Sequence, residues 1–66
     1  MNRMEIGKKL IALRGNKSQV EVSGALGISP SALSMYETGE RVPRDEIKIK
    51  IADYYNQSVE SIFFAP

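Results

Sequence analysis

At 66 residues, with 42% hydrophobic and 26% charged side chains, the chain is long enough for one small domain of ordinary globular composition. The absence of cysteine excludes disulfides and thiolate metal sites, and the formal net charge of +1 is weak evidence for a polyanionic partner. No apolar run approaches the roughly 18 residues of a transmembrane helix and no signal-peptide pattern is present, so we expect a cytoplasmic protein without membrane contact.

The first predicted helix runs from about Met4 to Arg14. Its apolar side chains share one face at the i, i+4 and i+7 spacing: Ile6, Leu10 and Leu13. We expect Gly15 to end this helix and residues 1–3 to form a frayed terminus. Arg14 lies in the last turn, where a cation suits the helix dipole.

Residues 18–38, SQVEVSGALGISPSALSMYET, predict two short helices joined by a tight turn. Ser18 and Glu21 have the spacing of a capping box at the start of the first. Gly27 supplies the left-handed residue that ends it. Ser29 then caps a second helix, in which proline at the first position lacks only an N–H that would be unpaired there.

The second of these helices carries an unusual polar face. Leu33 and Tyr36 point toward the first helix, whereas the i, i+3, i+4 and i+7 positions point away from it. The outward residues are Ser31, Ser34, Met35 and Thr38. Small polar side chains allow close approach to a surface, and serine can bond base edges or phosphate. A solvated face is the alternative, although the Lys and Glu typical of such faces are absent.

The positive charges flank this face. All nine Lys and Arg residues lie outside 18–38. Lys17 stands just before the stretch, and Arg41 and Arg44 follow it. Such groups would hold phosphates on either side of a neutral reading face. The alternative is scattered charge that only keeps the protein soluble.

Two more helices are predicted at about residues 44–64, after Pro43 interrupts the pattern. The fourth begins at Arg44 or Asp45 and carries the apolar face Ile47, Ile51, Tyr54 and Tyr55. Ser58 caps a short fifth helix whose core residues are Val59, Ile62 and Phe63. Ile49 falls off the stripe and lies on a second buried face or on the surface. The sequence therefore predicts an all-α domain of five helices spanning residues 1–66.

An ordered set of motifs resembles the XRE family, which includes the phage repressors and Cro proteins. Its markers are Ser18-Gln19, Leu26-Gly27-Ile28-Ser29, Leu33-Ser34, Tyr36-Glu37-Thr38-Gly39, Arg41, Pro43, Ile51-Ala52 and SVESIF at 58–63. The resemblance implies a compact five-helix bundle of the lambda-repressor-like type, with its helix-turn-helix in helices two and three. In that family helix three enters the DNA major groove and helix two crosses the backbone.

The resemblance also implies roles for individual residues. The base-reading positions are Pro30, Ser31, Ser34 and Met35. The phosphate contacts are Lys17, Ser18, Gln19, Ser29, Thr38, Arg41 and Arg44. No base-reading position holds a side chain capable of bidentate bonding, so we expect modest direct readout and a larger share from DNA shape.

Two implied features are architectural. Arg14 and Glu37 match an ion pair, buried or half-buried, that ties helix one to helix three. Ser23 replaces the small apolar residue usual in helix two, which is tolerable if its hydroxyl bonds back to the helix.

We therefore expect a transcriptional regulator, encoded by a prokaryote or phage, that represses as a homodimer on a palindromic operator of double-stranded DNA. The expected dimer surface comprises Tyr54, Ile62, Phe63 and Phe64. We expect no sensor domain, so that regulation comes from dimerisation, abundance or a protein antagonist. Two alternatives are the antitoxin of a toxin–antitoxin pair and a protein–protein adaptor that has lost DNA binding.

The sequence gives no support for an enzymatic function. The chain has no histidine or cysteine, no glycine-rich phosphate loop, and no paired carboxylates apart from those on ordinary helix surfaces. We therefore expect no catalytic site, metal, cofactor or small-molecule ligand.

Overall fold

A computed structural model of the chain describes residues 1–65, which form five helices and no strand. The helices are α1 (Arg3–Arg14), α2 (Gln19–Leu26), α3 (Pro30–Thr38), α4 (Asp45–Tyr55) and α5 (Val59–Phe63). Their order and bounds confirm the predicted all-α, five-helix architecture. None of these helices combines the length and apolar character that crossing a membrane requires.

Serine hydroxyls begin three of the helices, as predicted. The hydroxyls of Ser18, Ser29 and Ser58 each accept the backbone N–H three residues on, at 3.0 Å. Gly27 (φ 71°) and Gly39 (φ 84°) end α2 and α3 in the left-handed conformation. The local sequence thus determines where the helices start and stop.

The N-terminus of α1 differs from the expected frayed end. The Glu5 N–H bonds the Asn2 side chain at 2.9 Å, and the Asn2 N–H bonds the Glu5 carboxylate at 3.1 Å. This is a full capping box. At Ser18, by contrast, only the hydroxyl half of the predicted box is found among the described residues. The expectation was therefore wrong for Asn2 and Arg3, which are part of a well-capped helix.

One apolar core joins all five helices. Its buried members are Ile6, Leu10, Val22, Leu26, Leu33, Tyr36, Ile51, Ala52, Ile62 and Phe63. Ser23 is buried with them, and its hydroxyl donates to the Val20 carbonyl at 3.2 Å. That back-bond gives the buried hydroxyl a partner and explains why a polar residue is tolerated here.

Half of the expected dimer surface lies inside this core. Ile62 is 0% exposed and Phe63 is 2% exposed, so neither can contact a second copy in this fold. The five-residue α5 uses these adjacent side chains to close the core, whereas Phe64 just beyond it is 59% exposed. Their burial confirms the predicted core positions of Ile62 and Phe63. Their assignment to the dimer surface was wrong, because side chains that fill the core are not exposed for pairing.

Helices α1 and α3 approach closely through a glycine. A Cβ at Gly7 would lie 2.3 Å from the Glu37 carbonyl oxygen, so a side chain there is incompatible with this packing. On the other side of α1, the Lys9 ammonium donates to the Ser61 carbonyl within α5. Helix α1 is thereby fixed against both the helix-turn-helix and the C-terminal helices.

Candidate nucleic-acid interface

The turn between α2 and α3 is built from backbone hydrogen bonds. The Ile28 N–H bonds the Ser23 carbonyl at 3.0 Å, and the Gly27 N–H bonds the Gly24 carbonyl at 3.2 Å. Ile28 packs against the core. This arrangement satisfies two of the free carbonyls at the end of α2 and fixes the direction in which α3 leaves the turn.

The predicted reading residues share one side of α3. The opposite side buries Leu33, Tyr36 and Glu37. On the outward side Pro30, Ser31 and Thr38 are exposed, whereas Ser34 and Met35 are half-buried. A partner that binds along this side would therefore contact Ser31 most readily, because Ser34 and Met35 are partly shielded.

The three predicted hydroxyl contacts differ in what they can still donate. Ser18 and Ser29 accept N–H groups as helix caps, so each hydroxyl proton remains available to a phosphate oxygen. The Thr38 hydroxyl lies 3.2 Å from the Met35 carbonyl and 3.1 Å from the Glu40 carboxylate. Its single proton is used within the protein, and the adjacent carboxylate would repel a phosphate.

The predicted basic contacts are accessible. Lys17 is exposed, with its ammonium 3.2 Å from the Tyr54 hydroxyl and 4.8 Å from the centre of the Tyr54 ring. Arg41 and Arg44 are exposed and form no ion pair within residues 1–65. The Arg41 N–H bonds the Met35 carbonyl at 3.2 Å, which holds the following loop against the end of α3.

The structure forms the ion pair between Arg14 and Glu37, with two hydrogen bonds. Arg14 Nε lies 2.7 Å from Glu37 Oε2, and Arg14 Nη2 lies 3.1 Å from Oε1. The carboxylate side chain is 3% exposed and the guanidinium side chain 20%. The remaining guanidinium nitrogen, Nη1, donates to the Lys17 carbonyl at 2.8 Å. The hydrogen bond to Glu37 raises the pKa of Arg14, so the cation is retained.

Two further side chains surround this pair. The Gln19 amide nitrogen donates to Glu37 Oε1 at 2.8 Å. Tyr55 packs edge-on against Tyr54 with 5.0 Å between the ring centres. Burial, with a smaller contribution from the Glu37 charge, raises the pKa of Tyr55 to about 12. The bond between Gln19 and Glu37 was not predicted, because two residues so far apart in sequence give no local signal.

A shallow apolar groove lies away from α3, between α4 and the C-terminal end of α5. It has a volume of about 300 Å³ and is lined by Asp45, Lys48, Ile49, Val59 and Phe64. Ile49 is 54% exposed and Phe64 is 59% exposed. The structure thus places Ile49 on the surface, the second of the two positions that its spacing allowed. Of the four residues predicted to pair, Phe64 lines this groove.

Metal binding finds no site in the described part of the chain. Residues 1–65 contain no group of three or more His, Cys, Asp or Glu side chains placed to hold an ion.

Comparisons with known proteins agree with this fold. The helix-turn-helix family model HTH_3 matches residues 8–62. Among solved structures, the chain is similar to the clp gene regulator ClgR from C. glutamicum, with a TM-score of 0.77 and 26% sequence identity. The similarity covers 91% of this chain and 80% of that one. No curated protein matches the chain.

Proposed function

The chain belongs to the helix-turn-helix family HTH_3, whose model matches residues 8–62, and we propose that it regulates transcription as a homodimeric repressor with α3 in the DNA major groove. The observation that carries this proposal is the outward side of α3. It bears no charge, presents the exposed Ser31, and follows a turn in which Ser29 caps the helix and Pro30 takes the first helical position. Lys17, Arg41 and Arg44 supply exposed cations on the segments that flank it.

In the proposed binding mode, α3 contacts the bases and α2 contacts the DNA backbone. Pro30, Ser31, Ser34 and Met35 of α3 face the base edges, where the serines make single hydrogen bonds and the apolar groups contact thymine methyls. The N-terminus of α2 and the flanking cations contact phosphate. Because none of the four reading side chains is bidentate, we expect DNA shape to contribute strongly to site preference.

The proposed partner is a second copy of the chain. A single module makes few phosphate and base contacts, whereas two copies one helical turn of DNA apart reach useful affinity on a palindromic site. We place the contact at the groove beside Phe64 and Ile49. In a two-fold arrangement, Phe64 of each copy would enter the groove of the other and remove both exposed apolar side chains from water.

The size of the molecule limits the strength of this dimer. A standard interface buries about 800 Å² on each partner, which is roughly a fifth of the 4119 Å² surface of the chain. The groove alone is smaller than that. We therefore expect weak pairing in free solution and stronger pairing when both copies occupy one DNA site.

Selection of bound sequences from random duplex DNA tests the reading helix. At two salt concentrations we expect enrichment of a two-fold-symmetric site with affinity that falls as salt rises. The double variant Ser31→Ala/Ser34→Ala should bind with a blurred sequence preference. Absence of enrichment even at low salt would sink the proposal and favour a protein-binding adaptor instead.

Sedimentation tests the dimer surface. We expect Phe64→Ser to reduce self-association and to shift the stoichiometry on an operator from two copies toward one. Ile11→Ser is a matched control, since Ile11 is also an exposed apolar residue but lies on α1. One copy for each wild-type DNA complex would contradict this arrangement. A stable one-to-one complex with a co-encoded protein would favour the antitoxin alternative.

A further inference from the structure

The buried carboxylate of Glu37 connects three segments that are distant in sequence. It accepts two hydrogen bonds from Arg14 at the end of α1 and one from Gln19 at the start of α2. Glu37 itself lies in the last turn of α3. We propose that Glu37 is a positioning residue for DNA binding, which holds the Gln19 side chain and with it the N-terminus of α2 at a fixed place relative to α3. The inference rests on the proposed DNA binding and names the group that prepares its phosphate contact.

The N-terminus of α2 has free donors at the point that Glu37 fixes. The first N–H groups of a helix have no partner within the helix. Ser18 takes the N–H of Glu21 with its hydroxyl and that of Val22 with its carbonyl. Within residues 1–65, the N–H groups of Gln19 and Val20 take part in no hydrogen bond. They are therefore available to the phosphate that the proposed binding mode places there.

The contact with Glu37 leaves the Gln19 side chain able to bind as well. An amide nitrogen carries two N–H donors, and the 2.8 Å bond to Glu37 Oε1 uses one of them. Among residues 1–65 the second donor has no partner, while the first holds the side chain in place. Ordering a long side chain before the ligand arrives removes part of the entropic cost of binding. Glu37 can thus influence DNA affinity without contacting DNA.

The burial of Glu37 makes this constraint strong. With its side chain 3% exposed, the carboxylate has little access to water, so loss of a partner would leave a costly unsatisfied acceptor. Arg14 extends the constraint, because its third nitrogen bonds the Lys17 carbonyl immediately before α2. The segment that leads into α2 is therefore held at Lys17 by Arg14 and at Gln19 by Glu37.

A double-mutant cycle on DNA affinity tests the role of Glu37. Gln19→Ala should weaken operator binding by about tenfold or more, as expected for loss of a hydrogen bond to a charged group. Glu37→Gln should weaken it several-fold in the wild-type background and by less than about twofold in the Gln19→Ala background. Gln57→Ala is the matched control, since it removes the same side chain at the α4–α5 turn and should leave affinity unchanged.

The cycle separates positioning from a purely structural role. Urea unfolding of the same variants measures the stability cost of Glu37→Gln, which should persist when Gln19 is absent because Arg14 has also lost its partner charge. An effect of Glu37→Gln on affinity that is equal in both backgrounds would overturn the inference. If wild-type protein shows no salt-dependent DNA binding, the proposed function itself fails, and this inference fails with it.

A second measurement does not depend on the fold of the variants. Nuclear magnetic relaxation of the Gln19 side-chain nitrogen in free wild-type protein reports its motion on the picosecond to nanosecond timescale. We expect a rigid side chain, in contrast to the exposed Gln57. A Gln19 side chain that moves freely before DNA is added would contradict the proposed positioning, whatever the behaviour of Glu37→Gln.

Discussion

The Tyr55 hydroxyl is a buried group behind the candidate interface, and it has no hydrogen-bond partner within residues 1–65. Burial raises its pKa to about 12 in the folded state, above the value of about 10 expected in the unfolded chain. The unfolded state therefore loses this proton first as pH rises. The contribution of Tyr55 to stability is complete below pH of about 10 and is lost as pH approaches the folded value.

Replacement of Tyr55 by phenylalanine should alter the alkaline limb of stability. At pH 7 we expect Tyr55→Phe to leave the unfolding free energy unchanged or to raise it by up to about 1 kcal/mol, because an unpaired buried hydroxyl is removed. Between pH of about 10 and 12, the unfolded and folded pKa values of Tyr55, the stability of Tyr55→Phe should fall less than that of wild type. Urea unfolding across this range is the measurement.

Tyr54 provides the comparison for that experiment. Its hydroxyl bonds the Lys17 ammonium, so Tyr54→Phe removes a satisfied group and should lower stability slightly at pH 7. A Tyr55→Phe variant that matched wild type at every pH would show that the hydroxyl is not buried as described.

Replacing two helical glycines by alanine should change the stability of the protein in opposite directions. At Gly7 a Cβ would meet the Glu37 carbonyl at 2.3 Å, whereas at Gly24 nothing lies within 4 Å. Both positions gain about 1 kcal/mol of helix propensity from alanine. Gly24→Ala should therefore raise the melting temperature, while Gly7→Ala should lower it, with an overpacking cost of about 1–3 kcal/mol. Thermal unfolding of both variants decides the matter, and stabilisation by Gly7→Ala would contradict the close α1–α3 contact.

At the scale of helices, short segments depend on their caps. Helix α3 has nine residues, too few to be stable in isolation, and its first turn is held by the Ser29 hydroxyl. Ser29→Ala should cost about 1 kcal/mol of stability. Ser31→Ala is the matched control on the same helix, because Ser31 is exposed and caps nothing. Chemical denaturation should separate the two variants, and equal stabilities would mean that the cap contributes little.

Helix caps and helix positions are also the features that were predicted correctly from the sequence. Ser18, Ser29 and Ser58 were identified from local spacing, since an N-cap is completed within four residues. The Asn2 and Glu5 capping box obeys the same rule and was missed because the terminus was assumed to fray. Ile49 was left open because an off-stripe residue in an amphipathic helix can be buried by a neighbour that the sequence alone does not place.

At the scale of the whole molecule, the contacts that could not be predicted are those between distant segments. The bond from Gln19 to Glu37 and the space required at Gly7 depend on how α1, α2 and α3 cross. Helix identity follows from local chemistry, whereas these properties follow from packing. The side of α3 assigned to DNA was accessible to sequence reasoning because its polar stripe is a property of one helix.

The number of copies bound to DNA can be measured from the salt dependence of affinity, because that dependence is proportional to the number of phosphates neutralised. Lys17, Arg41 and Arg44 would neutralise about three phosphates for each copy, and two copies give a slope of roughly −5 for the logarithm of affinity against that of salt concentration. Arg41→Gln should make the slope shallower by about 2 if two copies bind one site and by about 1 if a single copy binds.

Lys8→Gln is the control, since it removes the same charge from an exposed position on α1 and should leave the slope unchanged. Titrations between roughly 50 and 200 mM salt give the slopes. A slope insensitive to Arg41 would exclude this residue from the phosphate contacts, and a change near 1 would argue against the dimer even if DNA binding is retained.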